Sequence, residues 1–200
     1  MKLFEKSLCL ALILTVLFSF TGFAAGCEDI PNHVLRLHIL ANSDSAEDQA
    51  LKLKVRDRIL TESAGLLDNI KNKTDAQNAI KAAIPRLKTA AEDEIKKQGY
   101  HYPVNVEMTH MYFTTREYTT VTLPAGDYDS LRVTIGSAAG HNWWCVIFPP
   151  MCLPAAEEPK ELSDVLNAKQ LQIVEGTGGF EYKFKTLEWY EQIKNYFERH

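Results

Sequence analysis

Apolar and polar residues alternate through Val34-Leu35-Arg36-Leu37-His38-Ile39-Leu40, a run rich in β-formers that predicts a strand. Asn42-Ser43-Asp44-Ser45 then reads as a loop ending in a helix cap. Ser45 followed by Asp48 resembles a capping box with the shorter acid, and Glu47 and Asp48 suit the positive end of a helix. Leu51, Val55, Ile59 and Leu60 recur at helical spacing to about Leu67, with Lys52, Lys54, Arg56, Asp57 and Arg58 between them. After Thr74-Asp75 a second stripe, Ala76, Ile80, Ala83, Leu87, Ala91 and Ile95, predicts another long helix closed by Gly99. Pro85 inside it should kink or split it.

From Tyr100 the texture turns to β. Pro103 to Met108 alternates, with Met111 to Phe113 as an extension; Glu117 to Leu123 and Tyr128 to Ile135 read as two further strands. Pro124-Ala125-Gly126-Asp127 supplies turn chemistry that would make those two a hairpin. Gly136 to Gly140 links to Trp143 to Phe148, whose continuous apolar character predicts a strand buried on both faces. Residues 153–179 read as a mobile excursion with at most one short helix near Lys160 to Gln170. Tyr182 to Lys185 reads as a last strand, and Thr186 as the cap of a terminal helix bearing Leu187, Tyr190, Ile193 and Phe197. The pattern predicts one α+β domain, with two long N-terminal helices and a C-terminal helix packed on a largely antiparallel sheet.

The N-terminus adds an address. Lys2 and Lys6 precede the apolar run Leu8 to Phe18, and small residues Gly22, Ala24, Ala25 and Gly26 follow, the three parts of an export signal. Three outcomes are open: cleavage between Ala24 and Cys27, retention as an anchor, or lipid attachment through Cys27. The expected division is therefore a signal segment at 1–26 and one extracytoplasmic domain at 28–200. At 200 residues and 46% hydrophobic the chain has ample material for a core. A formal charge of -4 argues against a general nucleic-acid binder, which needs a basic field. Outside the cytosol, Cys145 and Cys152 are expected to form a disulfide around Pro149-Pro150, the other reading being two buried thiols.

Gly140-His141-Asn142-Trp143-Trp144-Cys145 brings together the residue types of a thiol hydrolase. Neighbours on a strand alternate faces, however, and a bridge to Cys152 would occupy the sulfur. No catalytic residue is assigned; a cell-wall or peptide hydrolase using Cys145, or a histidine-bound metal, is the alternative function. His38, His141 and Asp44 would make a metal site only if the fold gathered them, so neither metal nor cofactor is expected. The glycines at 176, 178 and 179 lack the lysine of a phosphate loop. Trp143 and Trp144, being consecutive, should face opposite sides of a strand. One is then free to serve a partner surface.

Two blocks carry a resemblance. Leu35 to Ser45 running into Asp48 to Asp57 resembles the opening of the stage II sporulation protein R family. Leu123 to Tyr128, Leu131-Arg132-Val133, Ile135-Gly136 and Gly140 to Cys152 resemble its second block. The resemblance implies a signalling protein of endospore formation, exported into the space between forespore and mother-cell membranes. There it would activate a membrane-bound aspartic protease that cleaves a mother-cell sigma factor precursor. It implies no enzymatic activity of its own, and the charge leaves no nucleic-acid partner expected; the terminal helix, with Trp189 and Tyr190, is open to docking on the domain or to peripheral contact with a membrane. The partner surface is expected from Arg36, His38, Asn42 and Asp44 of the first block with His141, Asn142, Trp143 and Trp144 of the second. The plainer reading is that Asn42 and Asn142 shape turns and Arg36 serves the structure.

Overall fold

The computed structural model describes residues 2–118, 121–151, 162, 165–176 and 181–198. Its elements are α1 (Lys2–Asp29), a 3-10 turn (Ile30–Asn32), β1 (Leu35–Leu40), α2 (Ala46–Leu67), α3 (Lys73–Lys97), β2 (Val104–Phe113), β3 (Arg116–Glu117), β4 (Thr122–Leu123), β5 (Gly126–Ile135), β6 (Asn142–Phe148), α4 (Ala168–Glu175) and α5 (Glu181–Glu198). The fold is α+β, as the pattern predicts. The backbone gathers into two compact units. One gathers Met1–Pro31, Tyr112–Gly126 and Leu166–His200; the other gathers Asn32–Met111 and Asp127–Val165.

The second unit holds a four-stranded sheet in the order β2-β5-β1-β6. β1 pairs antiparallel with β6 and parallel with β5, Leu37 facing Cys145 on one side and Leu131 on the other. The period of two along β1 sends Leu35, Leu37 and Ile39 to the helix-covered face, where they join Val55, Ile59, Ile80 and Leu87 in one core. Truncating Ile59, which is fully buried, should cost about 2–5 kcal/mol.

Helix ends follow the local chemistry. Ser45 caps α2 by accepting the Asp48 amide at 3.2 Å, but Asp48 does not complete the box; its carboxylate turns to Asn42 and Ser43 instead. α3 starts one turn early under the cap of Asn72 and runs through Pro85 as one helix, correcting the expected split. Pro85 is exposed, so the Lys81 carbonyl that loses its helical partner lies on the water side. At the far end Gly99, at φ 84, lets the Gly99 amide reach the Lys96 carbonyl (2.9 Å) and the Tyr100 amide reach Ile95 (3.0 Å), a Schellman closure.

Three expectations are corrected. Glu117 to Leu123 is not one strand: β3 and β4 are two short strands paired with each other. The expected hairpin with the next strand is absent, because β5 takes β1 as its neighbour. Tyr182 to Lys185 is the first turn of α5, with Phe184, Leu187 and Glu191 buried at helical spacing. Within the expected excursion, α4 forms under a full capping box of Asn167 and Gln170. Among the described residues no helix is long and apolar enough to cross a membrane.

Candidate functional site

The two sequence blocks meet at one end of the sheet, where the loop after β1 (41–45) lies against the loop between β5 and β6 (136–141). Backbone bonds join them: the Gly140 amide donates to Ala41 at 3.0 Å and the Ala139 amide to Asn42 at 3.2 Å. Gly140 has to be glycine for this, since a Cβ there would sit 2.1 Å from the Ser43 carbonyl oxygen. Gly136, at φ 58, approaches Asn42 as closely.

Asn42 is the tie between the loops and α2. Its Oδ1 accepts the Ser137 amide (2.9 Å), its carbonyl accepts the Ser137 hydroxyl (2.7 Å), and its Nδ2 donates to Asp48 (2.8 Å). An amide side chain can accept through its oxygen and donate through its nitrogen in this way. Asp48 is buried and also accepts the Ser43 hydroxyl at 2.6 Å. That hydroxyl first, then Asn42 and Tyr102, holds its carboxyl below the usual carboxylate range against the opposing effect of burial.

Asp44 and His141 clasp the outer rim. One Asp44 oxygen accepts the His141 amide at 2.6 Å and also meets His141 Nδ1. Both bonds lower the Asp44 carboxyl, though the two side chains stay largely exposed. Beneath them lies Lys52, 4% exposed, its ammonium donating to the His141 carbonyl (2.9 Å) and to Gln49 (2.6 Å). Burial lowers its pKa, while Asp44 pulls the other way.

His38 faces away from the helices and is 3% exposed. Its ring stacks on Trp144 at 3.8 Å and 12°, and its Nε2 lies 2.7 Å from Asn142 Oδ1. Burial, assisted by Arg132 and Arg36 and opposed by the Asn142 bond, pushes it down to about 4. The ring is therefore neutral at neutral pH, and Nε2 carries the proton it donates to Asn142. Trp143 turns to the opposite face, as expected of consecutive strand residues, with the Arg56 guanidinium 4.3 Å above its ring.

Of the expected surface, Asp44, His141 and Asn142 are exposed, Asn42, Trp143 and Trp144 are partly covered, and Arg36 and His38 are buried. Arg36 lies 5.0 Å over the Tyr128 ring and offers no side-chain surface. Asp48, Lys52, Ser137 and Arg56 hold the site together, whereas the sequence reads Asp48 as a capping acid and Lys52 and Arg56 as polar helix positions. The i,i+4 spacing of Asp48 and Lys52, on the side of α2 that carries Leu51 and Val55, was the available signal. Lys52 in particular is not on a solvated face.

His141 with Asp44 has the form of a base and its orienter, but Cys145 is fully buried opposite Leu37, on the helix-covered side. Its sulfur is withheld from any substrate at the rim. Among the described residues the free thiols are Cys9 and Cys27, and Cys145 is not one of them; Cys152 lies outside the described residues. Among the described residues no group of three His, Cys, Asp or Glu side chains is placed to hold a metal, so His38, His141 and Asp44 do not converge. What the rim offers is a hydrogen-bonded polar and aromatic surface.

Comparison with known proteins gives two findings. The model of a family described as Stage II sporulation protein R matches residues 31–158, which includes both blocks. Stage II sporulation protein R of Bacillus subtilis (strain 168) is 32% identical over 185 residues, covering 82% of this chain and 83% of its own. No solved structure matches.

Proposed function

Because this chain belongs to the stage II sporulation protein R family, we propose that it is an exported signal of endospore formation that switches a membrane-bound aspartic protease to its active state. The protease then removes the inhibitory prosequence of a mother-cell sigma factor precursor. The supporting observation is the rim itself: two distant sequence blocks are laced by Asn42, Asp44 and Lys52 into one surface that presents His141 and Asn142 outward. A ligand shifts a protease only by binding its active form more tightly, and moving it from 1:99 to 99:1 takes about 10⁴-fold preference. Such preference needs a surface that does not rearrange on contact, which is what the lacing supplies. In this reading Cys145 and Cys152 form a bridge, in keeping with an oxidising space outside the cytosol.

The test is reconstitution of the full chain with the protease in vesicles, with precursor cleavage as the readout. His141→Ala combined with Asn142→Ala should depress cleavage at least about tenfold, the effect of losing a hot spot, with the fold intact by circular dichroism. Undiminished cleavage by that double variant removes the rim from the proposal. Cleavage of the precursor by this chain without the protease removes the signalling role.

A further inference from the structure

Exposed large apolar side chains are concentrated on two helices of the first unit. Among the described residues, Leu3, Phe4, Leu8, Leu10, Leu12 and Leu14 of α1 are open, and so are Trp189, Tyr190, Ile193 and Tyr196 of α5; elsewhere only Leu53 joins them. Leu8 to Leu14 contains no polar residue, so α1 is apolar in every direction there, which fits a surrounding of lipid better than one flank of a protein core. Uncharged sequence continues from Ser7 to Cys27.

At Phe23 the same helix becomes part of the fold. Phe23, Cys27 and Ile30 are buried. The Phe23 ring meets Phe184 of α5 edge-on at 5.3 Å, and Asp29 accepts Gln170 of α4 at 2.7 Å. Gly26 lies so close to α4 that a Cβ would come within 2.5 Å of Ile173 Cδ1. Cleavage between Ala24 and Cys27 would cut through this packed half and take away the ring that covers Phe184.

We propose that α1 stays on the mature protein, with its uncharged Leu8–Leu14 stretch held in the lipid bilayer and Lys2, Glu5 and Lys6 at the headgroups, and that α5 lies beside it on the membrane surface. Trp189, Ile193 and Tyr196 follow one another at i, i+4 and i+7 and so share a face, opposite the buried Phe184, Leu187 and Glu191. Trp and Tyr are the side chains suited to the headgroup boundary, and Phe23 on Phe184 joins this helix to the lipid-held one. Insertion into lipid is a weaker demand than crossing it. The inference refines the location given to the exported signal, and its tests separate it from that reading.

The first measurement is the intact mass of the full chain, C-terminally tagged and recovered from the membranes of cells that export it. The expected mass is that of a chain starting at its first residue. One starting between Ala25 and Glu28 overturns retention, even where the protein is exported and active. The second is fluorescence of the purified full chain in phosphatidylethanolamine–phosphatidylglycerol vesicles containing brominated lipid. Loss of most of the Trp189 emission is expected, and Trp189→Phe should abolish that quenching while the Trp143 and Trp144 emission remains. Unquenched Trp189 overturns the placement of α5, as does its shielding by a concentration-dependent dimer. Digestion of the body by protease added from outside the cytosol tests export separately, and its failure would leave retention standing.

Discussion

Acidification from pH 7 to pH 5 probes the His38–Trp144 stack. The His38 value in the fold, about 4, lies below the ordinary 6.5. Between those values the unfolded chain binds more protons than the folded one. Stability is therefore fully present above about 6.5 and is lost as pH falls towards 4. Between pH 7 and pH 5 the loss comes to about 2 kcal/mol, a sizeable part of the ~5–15 kcal/mol that holds a typical domain. Asp44, Asp48 and Asp129 have carboxyls held below their ordinary 3.8, and Glu188 below its ordinary 4.5, and they lose their contribution only as pH falls below those values. The chosen interval thus isolates the histidine. Urea unfolding followed by tryptophan emission, at both pH values, should show the loss in the wild-type chain and little of it in His38→Gln. Equal losses in the two proteins would refute the assignment of a buried, neutral His38, as would a wild-type chain equally stable at both pH values.

Gly140→Ala places a Cβ 2.1 Å from a backbone oxygen, so the loops have to part; a destabilisation above about 2 kcal/mol is expected in thermal melts. Asp48→Ala strands the Ser43 hydroxyl and the Asn42 amide without their shared acceptor, a loss of about 2–3 kcal/mol by urea titration, and a double-mutant cycle with Asn42→Ala should show strong coupling. Replacing Cys145 and Cys152 together with Ala should lower stability by about 2 kcal/mol while precursor cleavage continues; abolished cleavage by a folded variant would revive a thiol role. His141→Ala on its own should leave stability nearly unchanged, because its side chain is 79% exposed, and should show its effect in protease activation.

The long helices were legible because many turns repeat one signal, and the caps at Ser45 and Gly99 carry chemistry that few other positions tolerate. The opposite facing of Trp143 and Trp144 followed from strand geometry alone. Strand pairing was not legible in the same way. β5 has turn residues before it and reads as half of a hairpin, yet its neighbour β1 lies about ninety residues upstream, and nothing local encodes that choice. Tyr182 to Lys185 failed for a related reason: four residues are too few to separate a period of two from 3.6, and only Leu187 and Glu191 further on reveal the helical stripe. At the rim, residue types were legible and their roles were not. Arg36 and His38 read as surface groups because charge and polarity favour water, whereas ring contacts with Tyr128 and Trp144 accompany their burial. Lys52 was overlooked because a lysine on a helix is so commonly solvated.

The central position of β1 sets an order of events for a chain that emerges N-terminus first. Both strands that flank it are made later, ending at Ile135 and Phe148. Until they arrive, Leu35, Leu37 and Ile39 have only α2 and α3, whose local contacts form early, to rest against. A fragment that stops before Asn142 leaves the edge meant for β6 open to strands of other chains. Early truncations should therefore be recovered as aggregates, before any question of signalling arises.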